Sequence, residues 1–130
     1  LREDKMNTLW GKSQTVKKID SGIYWVTTAG HGGYMISKRK AEKNLPAYCL
    51  NNGFVGAKFN NYYCFEEDCA YAVLEYILSK SGTQHTAMYN HVDSLISEKK
   101  LPMGEYRDTL KQTIRNYYPE ILQKLDEMGV

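Results

Sequence analysis

The chain has 130 residues, 42% hydrophobic and 12% aromatic, which suffices for one buried core and is too few for two ordinary domains. Its 17 basic and 15 acidic side chains leave a charge of +2, which excludes both the strong positive field of a dedicated duplex-DNA binder and the acidity of a DNA mimic. Three cysteines, an odd number with no secretory apolar stretch before them, point to a reduced, cytoplasmic protein, and no apolar run reaches the roughly 18 residues of a membrane span.

Residues 1–5 read as an expression scar or the cut end of a longer protein, so a single domain is expected over 8–130. Residues 15–19 and 23–28 are rich in β-branched and aromatic types, and Asp20-Ser21-Gly22 between them has turn chemistry, which predicts a hairpin. Residues 33–37 continue as a third strand after a turn at Gly30-His31-Gly32-Gly33, giving an antiparallel meander. Ser37 can cap a short helix over 38–45 that Pro46 ends. Residues 47–63 show no sustained period and read as loop or irregular strand.

The clearest helical pattern lies at 66–80, where Cys69, Ala72, Val73, Tyr76 and Ile77 fall on one stripe and Ser81-Gly82 supplies the stop. Three further helices follow. Thr86 to Lys99 carries Met88, Val92, Leu95 and Ile96; Tyr106, Leu110, Ile114 and Tyr117 step by three or four; and Pro119 suits the first position of the last helix, with Gly129 behind it. The expected class is α+β: a small antiparallel meander of about three strands followed by about four packed helices, with the meander and acidic-start helix over 8–82 and a helical tail over 83–130.

His31 has two readings. Held by glycines at a sheet edge it can be a general base or metal ligand; otherwise it is a turn histidine bonded to a nearby carboxylate or backbone group. Glu66, Glu67 and Asp68 are expected on the first helical turn, where the dipole stabilises each acid by about 0.3–1 kcal/mol and keeps it ionised. That suits a cation ligand better than a proton donor.

Cys64 and Cys69 lie five apart and lack the four ligands in tight pairs that structural zinc takes, so neither metal nor cofactor is expected. Cys49 stands farther up the chain. The three acids oppose activation of Cys69 as a thiolate nucleophile. The glycine-rich loop is not followed by a Lys-Ser/Thr helix of the P-loop kind, and His85 and His91, about 240° apart around a helix, cannot share a metal. Among 11 tyrosines, the adjacent pairs Tyr62-Tyr63 and Tyr117-Tyr118 should each turn one ring outward. With lysines and arginines of the helical tail they are candidate binding contacts, the alternative being rings that cover core edges.

"WGK" at 10–12, "GIYWVTTAGHGGYMIS" at 22–37 and "FEEDCAYAVL" at 65–74 together resemble an uncharacterised bacterial domain family. Its members have a W-G start, a strand ending V-[ST]-T-x-x-H-G-G, a following S-x-x-R, and an aromatic-E-E-D-C-x-x-A helix start. The resemblance covers roughly residues 9 to 78, and the matching positions are Trp10, Gly11, Thr28, His31, Gly32, Gly33, Ser37, Glu66, Glu67, Asp68 and Cys69. Lys38 departs from the family, where a proline commonly follows the serine. The family looks like one carried by phages, plasmids and other mobile elements, so the resemblance implies context without mechanism.

A glycine-flanked histidine paired with an acidic segment implies that the two meet in space. The expectation for function is a mobile-element protein that binds a host protein or nucleoprotein complex and inhibits an antiviral, CRISPR or restriction system, with nucleic acid a further partner class, no membrane, and an oligomeric state left open. The alternative is a small metal-dependent hydrolase or nuclease, with His31 as base and Glu66, Glu67 or Asp68 holding a divalent ion.

Overall fold

The computed structural model describes residues 6–80 and 85–130, so the expectations for residues 1–5 and for a stop at Ser81-Gly82 lie outside the described residues. Strands β1 (Asn7–Thr8) and β2 (Gly11–Lys12) form a miniature hairpin. Strands β3 (Thr15–Asp20), β4 (Ile23–Thr27) and β5 (Gly32–Ser37) lead into helix α1 (Lys38–Asn44). A turn of 3-10 helix at Ala47–Cys49 precedes strands β6 (Val55–Phe59) and β7 (Tyr62–Glu66). Helices α2 (Tyr71–Leu78), α3 (Thr86–Lys99), α4 (Met103–Tyr117) and α5 (Pro119–Glu127) complete the chain, whose class is α+β. The fold divides into two compact units, one ending at Tyr71 and one beginning at Ala72.

In the first unit the meander is larger than expected: five antiparallel strands in the order β3-β4-β5-β7-β6, with β5 central. Residues opposite one another share a face. Val26, Met35 and Cys64 form a buried cluster on one face, against which Met6 and Trp10 of the small hairpin and Tyr24, Phe59 and Tyr62 pack. The register puts Trp25, Tyr34 and Phe65 on the other face, where Trp25 meets Tyr34 edge-on at 4.7 Å. Helix α1 lies against β5 and β7, begins at the Ser37 cap and stops before Pro46, as its sequence requires.

Two differences from the sequence reading follow from backbone features. The 47–63 stretch contains β6 and most of a hairpin, whose alternation is broken by a bulge at Gly56 (φ +60). The hairpin reverses through Asn60, which adopts φ +53. The acidic segment is not helical: β7 runs through Glu66, and residues 67–70 form a turn before α2 opens at Tyr71.

In the second unit α2 is buried nearly all round, at Ala72, Val73, Leu74, Glu75, Tyr76 and Leu78, so the single stripe expected of it is too narrow. Helix α4 packs with α3 and α5; Tyr106, Leu110 and Ile114 of α4 are buried, as are Met88 and Val92 of α3 and Ile121 and Leu125 of α5. Pro119 opens α5 as expected. The polar groups buried here are paired within the unit: the Tyr106 hydroxyl donates to Glu75, and Arg107 Nη1 donates to the Tyr76 carbonyl and to Ser79 Oγ, both at 2.8 Å. The Arg107 guanidinium also lies 4.4 Å from the Tyr76 ring centre.

Candidate functional site

The loop between β4 and β5 is held by one side chain. Thr28 Oγ1 donates to the His31 carbonyl at 2.6 Å and accepts the His31 N–H at 3.1 Å, while the Thr28 N–H donates to the same carbonyl at 2.7 Å. Thr8 does the equivalent in the first hairpin, donating to the Gly11 carbonyl at 2.6 Å and accepting the Trp10 N–H at 3.1 Å. Gly32 and Gly33 belong to β5 rather than to the turn. A Cβ on Gly32 would come within 2.5 Å of the Val26 carbonyl oxygen, and one on Gly33 within 2.3 Å of the Phe65 carbonyl oxygen. These glycines let the neighbouring backbones approach on either side.

That approach brings the two motif blocks together. Glu67 N–H donates to the Gly32 carbonyl at 2.9 Å, one step beyond the last residue of β7. Nδ1 of His31 then lies 3.9 Å from Glu67 Oε1 and 3.8 Å from Asp68 Oδ2. The expected meeting of histidine and acids is therefore present, at a separation too long for a direct hydrogen bond and short enough for attraction when the imidazole is charged. With the histidine side chain 53% exposed and the acids 38% and 67% exposed, such a pair contributes about 1 kcal/mol or less.

Glu66 does something else. Its Oε1 accepts the N–H groups of Cys69 at 2.7 Å and Ala70 at 2.6 Å, and its Oε2 accepts that of Asp68 at 2.6 Å. It acts as the cap of the turn that leads into α2, so the shared helical turn expected for the three acids is replaced by one capping residue and two exposed ones. Cys69 is half-buried rather than seated on an apolar stripe, whereas Cys49 and Cys64 are fully buried. Burial pushes the Cys64 thiol up to about 12, a backbone hydrogen bond at Leu9 offsetting part of the rise. Among the described residues no group of three or more His, Cys, Asp or Glu side chains is placed to hold a metal ion.

The tyrosine pairs divide unevenly. Tyr117 is 61% exposed and Tyr118 half-buried, their rings 6.5 Å apart. Tyr62 is half-buried and packs edge-on to Tyr24 at 6.3 Å. Tyr63 is buried and is withdrawn as a contact residue: its hydroxyl donates to Glu42 Oε2 at 2.9 Å. That bond, then burial and the Glu42 charge, raises the Tyr63 pKa. His85 and His91 are both half-buried.

Two shallow grooves lie away from His31, at the α1 end of the sheet. One, of about 430 Å³, is lined by Ser37, Lys38, Arg39, Glu42 and Asn61. The other, of about 270 Å³, is lined by Ser21, Gly22, Ser37, Arg39, Lys40, Lys43 and Asn44. In the sequence this segment reads as a capped helix. The signal that marks it is four basic residues, Lys38, Arg39, Lys40 and Lys43, within six positions.

A family model described as a domain of unknown function, DUF7007, matches residues 3–128. The chain belongs to the DUF7007 family. The match runs through the helical tail, which the resemblance over 9–78 did not cover, so both compact units are part of the DUF7007 domain. No curated protein and no solved structure gives a match to this DUF7007 chain.

Proposed function

We propose that this DUF7007 protein is a binding module of mobile-element origin that engages a host macromolecule and thereby inhibits an antiviral or restriction system, without catalysing a reaction. The observation that carries the reading is the commitment of Glu66. Both of its carboxylate oxygens accept backbone N–H groups, three in all, so the acid of the motif with the most hydrogen bonds serves the turn, a capping role that suits neither base nor metal ligand. The residual chemistry at the corner is one exposed imidazole beside two exposed carboxylates, and the grooves of about 430 and 270 Å³ lie at the α1 end of the sheet. Contact residues under this reading are Tyr117 and its neighbour Tyr118, with Tyr62 in the first unit.

The test is phage plating on otherwise identical hosts with and without a restriction or CRISPR system, each expressing the protein. Raised plating confined to the defended hosts, retained by His31→Ala, supports the reading. Unchanged plating across restriction- and CRISPR-proficient hosts overturns it.

The proximity of His31 to Glu67 and Asp68 favours one second reading, a metal-dependent hydrolase using His31 as base. It requires turnover of nucleic acid or nucleotides with Mg²⁺, Mn²⁺ or Zn²⁺ that His31→Ala abolishes in a folded protein.

A further inference from the structure

Charge that cancels over the whole chain is segregated within the first unit. The loop joining β4 to β5 and the end of β7 carry His31, Glu66, Glu67 and Asp68 at one end of the sheet. The opposite end, where β5 passes into α1, carries Lys38, Arg39, Lys40 and Lys43. Of the acids near this second end, Asp20 takes the Lys40 ammonium at 2.8 Å, while Glu42, which lines one groove, accepts the Tyr63 hydroxyl. Among the described residues no carboxylate lies within ion-pair distance of Lys38, Arg39 or Lys43. Arg39 borders both grooves, Lys38 lines one and Lys43 the other, and Ser37 is common to both.

We propose that this basic end docks the phosphodiester backbone of a single nucleic-acid strand. Exposed cations with no carboxylate at ion-pair distance, bordering these grooves, fit phosphate oxygens, and the guanidinium of Arg39 can grip one with two N–H groups. Amides at Asn44 and Asn61 and the hydroxyls of Ser21 and Ser37 add uncharged polar groups to the groove walls. Three charges on one short helix are few for a duplex.

This inference rests on the binding reading above and names the partner. It is tested with the whole chain and a labelled oligonucleotide, single-stranded and as the matching duplex, by fluorescence anisotropy across salt. With three phosphates engaged, log K should fall against log salt with a slope of about −2, or roughly 20-fold between about 50 and 200 mM. Lys38→Gln, Arg39→Gln and Lys43→Gln should each shrink the slope by about 0.7, and the triple variant should abolish it. Lys12→Gln with Lys17→Gln removes charge from β2 and β3 of the same unit, away from α1, and should leave the slope intact.

Absence of binding at low salt, an unaltered slope in the α1 triple variant, or tighter binding to the duplex overturns the proposal. Protein that raises phage plating yet binds no oligonucleotide removes this inference and leaves the binding reading standing. Oligonucleotide binding that follows the α1 charges, with plating unaltered on every defended host, does the reverse.

Discussion

Replacing Glu66 separates a capping role from a chemical one. Glu66→Ala removes the acceptor of three N–H groups, those of Cys69 and Ala70 being part-buried and that of Asp68 exposed. A hydrogen bond to a charged acceptor contributes about 1.5–3 kcal/mol when buried, and water recovers part of that at a half-buried turn, so about 1 kcal/mol per bond and about 3 kcal/mol in all is expected. Glu66→Gln keeps one carbonyl oxygen, which can still take Cys69 and Ala70. Its amide NH₂ then faces the Asp68 N–H, for a loss of about 1 kcal/mol. Both tryptophans, Trp10 and Trp25, lie in the unit that ends at Tyr71, so urea unfolding followed by tryptophan fluorescence reports on this unit. At a slope of about 1 kcal/mol per molar, the midpoints should fall by roughly 3 M for alanine and roughly 1 M for glutamine. Equal losses in the two variants, or an alanine variant within about 0.5 kcal/mol of the parent, would refute the capping argument.

Gly33→Ala should destabilise the same unit by about 3 kcal/mol, because its Cβ meets the Phe65 carbonyl oxygen at 2.3 Å. Gly30→Ala, with nothing within 4 Å, should stay within about 0.5 kcal/mol of the parent in the same urea series. Arg107→Lys should cost about 1–2 kcal/mol, since an ammonium replaces neither the paired bonds to Tyr76 and Ser79 nor the contact with the Tyr76 ring; helical circular dichroism on heating reads it. Alkali should loosen the first unit. The Cys64 thiol, pushed up to about 12 from an ordinary 9.0, and Tyr63, raised above 10.0, both bind protons more tightly folded than unfolded. Their contribution is complete below about pH 9 and is lost as pH rises toward 12, so urea midpoints should decline over that window, and less steeply in Cys64→Ala than in the parent.

Elements whose signals are local were legible. The hairpin of β3 and β4, the Ser37 cap, the Pro46 stop and the Pro119 start each depend on residues adjacent in the chain, and each is where its sequence requires. The β6–β7 pair was not, because a bulge at Gly56 removes the period-two pattern by which a strand is recognised. The misplaced start of α2 has a different origin. Glu66, Glu67 and Asp68 compose well as a first helical turn, but Tyr62–Glu66 pairs with β5, and tertiary pairing overrides that local preference. Of the site, the nearness of His31 to the acids followed from two blocks recurring together. The division of labour among the acids did not, since which carboxylate faces the backbone depends on where the strand ends.

The motif blocks can now be sorted by what their backbone demands. Thr28 brackets the turn, Gly32 and Gly33 admit neighbouring strands, Ser37 caps α1, and Glu66 caps the turn into α2. Trp10 packs over the cluster of Val26, Met35 and Cys64, and Gly11 (φ +114) follows the turn of the first hairpin. These groups serve their own backbone first, so the positions shape the domain without specifying a reaction, although the Ser37 hydroxyl also borders both grooves. Four motif side chains have no such role: Cys69, which is half-buried, and His31, Glu67 and Asp68, which are exposed together at one end of the sheet. At the other end Lys38, Arg39 and Lys43 border grooves with no carboxylate paired to them among the described residues. Solvated charge of opposite sign at opposite ends orients a polyanion before contact, repelling it from the acidic corner and drawing it to the basic one. Neutralising Glu67 and Asp68 together should therefore accelerate association with the oligonucleotide at low salt while leaving its dissociation rate unchanged, and an equal change in both rates would show that the corner touches the ligand.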